Sequence, residues 1–260
     1  MKKKLVFNSL ISTGTFQEFT DKIFELSETK ESSYVCFANA HMMVESYKSP
    51  EFNKILNNAD LAAPDGGPVS KAVKVYHGIK QVRVPGMDLL PVLLDEAEKR
   101  NKSVYFFGTT DDLLEIIKEK AAKEFPNLRI AGTFSPPFRK LSEEEENDII
   151  DMIQATNPDL LFVALGCPKQ EMWMAAHMGK INACMLGVGQ AFRTYAGVEK
   201  RLPKWARNLS LEWVYRFYLE PGRLWKRYLV TNSFFIYLFI KHLFSPNKQP
   251  AELVYEETKK

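Results

Sequence analysis

The residue best placed to do chemistry is one carboxylate in the stretch "DLAAPDGGPV", residues 60–69. Small apolar residues lead into Pro64, Asp65, Gly66, Gly67 and Pro68, so Asp65 ends an apolar run with no bulky neighbour to cover it. A carboxylate at the rim of a buried strand is partly desolvated, and desolvation lifts its pKa toward that of a general base. Asp–Gly is also a common turn pair. Spacing alone weighs the two readings evenly.

Other polar or small residues end apolar runs in the same way. Asn39 and His41 follow "YVCFA", and Gly108, Thr109 and Thr110 follow "SVYFF". Gly166, Lys169 and Gln170 follow "DLLFVAL", and Gly189 follows "NACMLGV". The glycines of "FGTT" and "GVGQAF" let backbone N–H groups approach a phosphate at a helix start. They serve equally as tight strand-to-helix turns. Neither completes GxGxxG, so a dinucleotide site is unsupported and an oxidoreductase reading rests on fold alone. In "LGCPKQE", 165–171, Pro168 suits a helix start. Gln170 there can donate to and accept from a sugar, and Glu171 reads as an N-terminal cap.

No DxD carboxylate pair occurs. Arginines, lysines or helix dipoles are therefore expected to balance a diphosphate in place of a divalent metal. The histidines (His41, His77, His177, His242) and cysteines (Cys36, Cys167, Cys184) show no metal spacing, and GxSxG is absent. We expect no metal, no cofactor and reduced cysteines that fill the core.

These residues need a scaffold that brings strand ends together. Apolar runs at 4–8, 34–39, 60–63, 103–108, 128–133, 159–166 and 182–189 read as strands. Helical patterns at 87–100, 111–125 and 142–156 separate them. This alternation predicts an α/β fold, a Rossmann-like, mostly parallel sheet with helices on both faces. Ligands then bind beyond the carboxyl ends of the strands, where every candidate above lies. Ser142 with Glu145 is a capping-box signature, so the acidic run 143–146 is a helix first turn.

The 260 residues carry a net charge of only +3, which does not describe a nucleic-acid-binding polycation. Ten Lys/Arg against Glu212 and Glu220 give +8 between Lys200 and Lys248, so the remainder carries −5. We place a boundary near 195–200: an α/β core over 1–195, a basic aromatic helical appendage over 196–248, and a disordered tail over 249–260. Trp205, Leu209, Trp213 and Phe217 fall four apart, and Arg223, Lys226 and Arg227 share one face of a second helix after Pro221 and Gly222. Trp, Tyr and Leu mixed with Arg and Lys suit an interfacial helix on anionic lipid, or a packing helix with a solvated basic face. No run reaches the ~20 apolar residues of a membrane span. "MKKKLVFNSL" reads as a first strand rather than a signal peptide.

The ordered motifs "FANAHMMVES", "NADLAAPDGGPV", "RVPGMDLL", "VYFFGTTDDLL", "NPDLLFVALGCPKQEMW", "GVGQAF" and "RLPKWARNLSLEWVYRFYLEPGRLWKRY" resemble the WecG/TagA/CpsF family of bacterial glycosyltransferases. The resemblance runs over about residues 33–230, and "LGCPKQE" and "LEWVYR…EPGRLWKRY" are its most specific blocks. It implies transfer of a sugar from a nucleotide diphosphate donor, usually UDP-linked, to a polyprenyl-diphosphate-linked acceptor in cell-envelope polysaccharide synthesis. The implied reaction inverts the anomeric centre without a metal, on the cytoplasmic face of the membrane, with the appendage aiding membrane binding and active-site closure.

By the resemblance, Asp65 matches the family's proposed base. Asn39 and Gln170 match residues that orient sugar, and Arg83 matches a pocket arginine. Gly108, Thr109 and Gly189 fall among substrate-binding turns. Arg216, Arg223 and Arg227 match basic positions for the acceptor diphosphate or the membrane, where a guanidinium binds two oxygens. Two positions depart. Arg193 stands where Asp is usual, near the nucleotide base, and an Arg cannot accept a hydrogen bond from a uracil N–H. Phe37 stands where Thr is common. The alternative is a non-catalytic nucleotide-sugar or lipid-diphosphate binding paralogue, and joint retention of Asp65, Asn39 and Gln170 argues against it. Oligomeric state is left open.

Overall fold

The computed structural model describes residues 1–200, 202–203, 214, 217–218 and 221–244, with only the backbone of 221 and 223–228. Its elements are β1 (Lys3–Val6), β2 (Ser9–Ser12), α1 (Phe16–Glu28), β3 (Ser33–Ala38), α2 (Ala40–Lys48), α3 (Pro50–Asn58) and β4 (Leu61–Pro64). There follow α4 (Gly67–His77), α5 (Gly86–Lys99), β5 (Ser103–Gly108), α6 (Asp111–Glu124), β6 (Arg129–Phe134) and α7 (Glu143–Thr156). Then come β7 (Leu160–Ala164), α8 (Lys169–Ala176), β8 (Cys184–Gly187), α9 (Ala191–Tyr195) and α10 (Pro221–Leu243).

Six strands form one sheet in the order β4-β3-β8-β7-β5-β6, and every pairing is parallel. The period of two along each strand divides the core. Tyr34, Cys36, Tyr105 and Phe107 face a cluster with α2, α3, α4 and α10, while Val35, Phe37, Val104 and Phe106 face one with α1, α5, α6 and α9. Both faces are covered, which is why these strands read as unbroken apolar runs. Phe106 packs against Phe162 and Phe192 with ring centroids 5.8 and 5.7 Å apart.

The first apolar run departs from expectation. β1 pairs antiparallel with β2 and stands outside the main sheet. Phe7 (φ 60°) turns the hairpin, and Ser12 Oγ accepts from the Ala62 N–H at 3.0 Å, fixing the hairpin to β4. The Ser142 capping box forms as expected, with Arg139 gripping Glu145 through both terminal nitrogens. Thr15 and Glu18 form a second capping box on α1 that the same signature would have found.

α10 begins at Pro221, where the sequence pattern broke, and returns to the core beside α2. Thr231, Phe235 and Leu238 are buried there, Phe235 meets Phe7 at 5.1 Å, and Tyr76 Oη donates to the Phe239 carbonyl at 2.8 Å. Trp205, Leu209, Trp213 and the expected tail over 249–260 lie outside the described residues. No described helix is long and apolar enough to cross a membrane.

Candidate active site

Parallel register brings the strand ends to one rim. Ala38 pairs with Pro64, Gly108 with Ala164, and Val163 with Gly187. Asp65, Asn39, Gly187–Gly189, Gly166 and Gly108–Thr109 therefore follow one another along it. The connections diverge between β5 and β7, since β5 leads outward to β6 and β7 leads back to β8. Such rims carry the ligand sites of open α/β sheets.

Asp65 is half-buried at the end of edge strand β4, and its N–H donates to the Ala38 carbonyl at 2.9 Å. The next residue, Gly66, has φ 97°, a left-handed conformation that a side chain would strain. That turn starts α4 at Gly67 and leaves the carboxylate at the strand end. The Val84 N–H donates to the Pro64 carbonyl at 2.9 Å, which draws "RVPG" against the end of β4. Arg83, half-buried, thus lies next to Asp65.

The segment holding Arg83 has no regular structure, and Gln81 anchors it. Its Oε1 accepts from the Gly14 N–H at 3.0 Å, and its Nε2 donates to the carbonyls of Gly14 and Val82 at 2.8 and 2.9 Å. Nothing in the sequence marks Gln81, because its partner is 67 residues away.

Asn39 caps α2. Its Oδ1 accepts from the N–H groups of His41 and Met42 at 3.0 and 3.1 Å. The amide nitrogen is left as its polar group for other contacts. Phe37 is buried beneath this edge, with Gly86 against its ring.

Gln170, the residue expected to orient a sugar, lies beneath the rim. It is 4% exposed and its amide is engaged at both ends. Oε1 accepts from the Gly166 N–H at 3.1 Å, while Nε2 donates to the Gly187 carbonyl at 2.6 Å and to Glu171 Oε1 at 2.7 Å. Glu171 is fully buried rather than a helix cap. Burial pushes its carboxyl up to about 7, against weaker lowering by Gln170, its own backbone N–H and the Cys167 thiol. The Cys167 thiol is itself pushed up, first by burial and then by Glu171. Sequence reasoning took Glu171 for a cap because it stands in the first turn of α8; only the tertiary fold shows otherwise.

The residues from 5 to 249 match the glycosyl transferase WecG/TagA/CpsF family. The chain belongs to this family. It is 31% identical over 230 residues to an N-acetylglucosaminyldiphosphoundecaprenol N-acetyl-beta-D-mannosaminyltransferase of Bacillus spizizenii (strain ATCC 23059 / NRRL B-14472 / W23), covering 86% of this chain and 87% of that one. Relatives of the same name from Bacillus subtilis (strain 168) and Staphylococcus aureus (strain NCTC 8325 / PS 47) are 30% and 27% identical. They cover 78% and 84% of this chain, and 77% and 83% of their own lengths. As a WecG/TagA/CpsF member the chain is a glycosyltransferase.

Within this family frame the remaining candidates separate. Thr109 and Gly189 sit on the rim, but their N–H groups already donate to the carbonyls of Ala164 and Val163, each at 3.2 Å. Gly108 is buried, and Asp111 and Asp112 open α6 behind it. Neither turn therefore offers those two N–H groups to a phosphate. Arg193 projects from α9 and is exposed, with Nε on Glu199 Oε1 at 2.9 Å, and Gln190 Nε2 donates to the same oxygen. The position where the family usually has Asp thus presents an Arg–Glu pair. Arg216 and the side chains of Arg223 and Arg227 lie outside the described residues, although the backbone of both latter residues belongs to α10. Among the described residues no cluster of three or more His, Cys, Asp or Glu is arranged to hold a metal ion.

Proposed function

We propose that this chain is an inverting, metal-independent transferase that moves an N-acetylmannosamine-type sugar from a UDP-linked donor to a polyprenyl-diphosphate-linked acceptor sugar. The relatives' names supply the sugar and the acceptor class, and the chain spans most of their length. The observation that carries the chemistry is Asp65, half-buried at the end of β4 with the Arg83 segment held against it. The acceptor hydroxyl oxygen bonds to the anomeric carbon as the bond from that carbon to the diphosphate breaks. Asp65 takes the hydroxyl proton, and the nucleoside diphosphate leaves with the electron pair. One displacement inverts the centre. Arg83, with Arg216, Arg223 and Arg227, supplies the positive charge that the diphosphate needs. Asn39 offers its amide nitrogen to a sugar hydroxyl. Metal independence rests on the missing DxD pair.

The acceptor is a lipid, and α10 supports peripheral attachment to the inner membrane face. Opposite its docked face it exposes Leu229, Val230, Ile236, Tyr237 and Ile240, with Lys241 beside them and exposed Phe244 just past its end. Such a face suits the lipid headgroup boundary.

Asp65→Asn tests the assignment. The variant is expected to fold and bind UDP normally while transfer falls by roughly 10²- to 10⁴-fold, the usual weight of a general base. Full transfer by Asp65→Asn removes the base. UDP binding without turnover, for every donor tried with a prenyl-diphosphate acceptor, makes the chain a binding paralogue instead.

A further inference from the structure

We propose that Glu171 is a positioning residue for transfer: its buried carboxyl fixes the Gln170 amide, which holds the glycine turns after β7 and β8 at one spacing on the rim. The inference rests on the rim being the transfer site.

The geometry argues against a filler role. Glu171 is fully buried, and among the described residues it forms no ion pair. Its Oε2 makes no hydrogen bond of ordinary geometry, and besides Gln170 the carboxylate has only its own backbone N–H and the Cys167 thiol as weak donors. A buried carboxyl without a cation is costly, and an apolar side chain of similar volume would be more stable there. Its one strong contact is Oε1 with Gln170 Nε2 at 2.7 Å.

That contact reinforces the way Gln170 points. Two acceptors, Glu171 Oε1 and the Gly187 carbonyl, face the amide nitrogen, while one donor, the Gly166 N–H, faces the oxygen. A flipped amide would oppose acceptors with an acceptor and a donor with a donor. Without Glu171 one N–H loses its partner, and the amide keeps its setting through two hydrogen bonds instead of three, so it is held less firmly. Gln170 is the cross-link between the turn at Gly166 and the end of β8, so looseness in it spreads to both. The fit is close, because a Cβ on Gly187 would lie 3.0 Å from Gln170 Nε2, and one on Gly189 would lie 3.1 Å from its Oε1. The vacant Oε2 takes the proton when Glu171 is neutral, which leaves Oε1 free to accept in both charge states.

The test compares Glu171→Gln, which keeps an acceptor, with Glu171→Met, which keeps the volume and removes it. Both full-length variants are expected to fold, with Glu171→Met at least as stable to heat as the parent. Hydrogen exchange over the peptides spanning 165–167 and 187–189 should quicken in Glu171→Met and stay at the parent level in Glu171→Gln. At saturating substrates, Glu171→Met should transfer roughly 10- to 100-fold more slowly, the cost of slight misplacement. Glu171→Gln should restore the rate to within a few-fold. Gln170→Met combined with Glu171→Met should be no slower than Gln170→Met alone. Unchanged exchange in Glu171→Met overturns the proposal whatever the substrate proves to be. So do equal losses in the two Glu171 variants, or additive losses in the double variant. Loss of transfer in every protein including the parent counts against the assigned substrates, and the exchange result then decides the brace.

Discussion

The Val84 N–H binds the Pro64 carbonyl at 2.9 Å, and that bond sets Arg83 beside Asp65 at the open end of β4. Two residues 18 positions apart in sequence are brought side by side along the backbone by one contact. The loop that makes the contact depends on Gln81, whose amide reaches across to Gly14.

Gln81→Leu should therefore loosen the Arg83 segment without touching substrate. It removes two hydrogen bonds to half-buried Gly14, at a cost of about 0.5–1.5 kcal/mol each. Transfer should drop while Asp65 is intact, with the larger change in donor KM. Thermal unfolding and steady-state kinetics measure the two effects. A stable variant with parental kinetics would show that the pin has no bearing on the site.

Glu171 makes stability depend on pH. Burial raises its carboxyl to about 7 in the folded chain, above the ordinary carboxylate range it has when unfolded. The folded chain thus holds the proton over a window where the unfolded chain has lost it. Its favourable contribution is complete below the unfolded pKa and is lost as pH climbs through about 7. The titratable neighbours are Cys167 before α8 and Cys36 on β3, and both thiols are pushed up. Glu171→Gln does not titrate, so it should gain on the parent by at most about 3 kcal/mol between acid and pH 8. Denaturant melts at pH 5 and pH 8 check this; a constant difference between the two proteins contradicts the buried-carboxyl account.

The main sheet was legible because its strands are buried on both faces. "SVYFFG" and "DLLFVALG" have no competing helical period, and each lies within two residues of its strand. "KLVFN" was legible as a strand but not as to partner, since a short run carries no record of which edge it joins. The rim positions of Asp65 and Asn39 followed from the strand ends. The buried state of Gln170 and Glu171 did not, because in sequence a polar residue in a helix first turn looks the same whether it meets solvent or the end of a neighbouring strand. The Arg193–Glu199 pair escaped for a related reason: it forms across the turn after α9, where no periodicity applies.

Gly187→Ala probes the cross-link from the opposite side. The added methyl would sit 2.8 Å from Met174 Cε and 3.0 Å from Gln170 Nε2. Met174 can bend away, but the Gln170 amide is held by three partners. We expect a loss of about 1–3 kcal/mol from overpacking and slower transfer at saturating substrate. Gly222→Ala, with nothing within 4 Å of the new methyl, is the control: it creates no overpacking and should stabilise the helix by at most about 1 kcal/mol. Parental transfer by Gly187→Ala would mean that the spacing of these turns does not limit the reaction.

The two faces of α10 should respond in opposite ways. Phe235 is 5% exposed and packs on Phe7, so Phe235→Ala removes core and should cost about 3–5 kcal/mol. Ile236 and Ile240 are 57% and 48% exposed one turn apart on the outer face, so replacing both with Ser removes no core contact. Surface changes of that kind stay near ±0.5 kcal/mol each. If the outer face meets lipid, the double Ser variant should lose sedimentation with anionic phosphatidylglycerol vesicles while its melting temperature holds. Its transfer to a lipid-linked acceptor in vesicles should fall, and transfer to a short-chain, water-soluble acceptor should not. High salt should weaken vesicle binding of the parent in part only, because apolar burial persists when charge is screened. Equal vesicle binding by parent and double variant would assign α10 to packing alone and leave attachment to other parts of the chain.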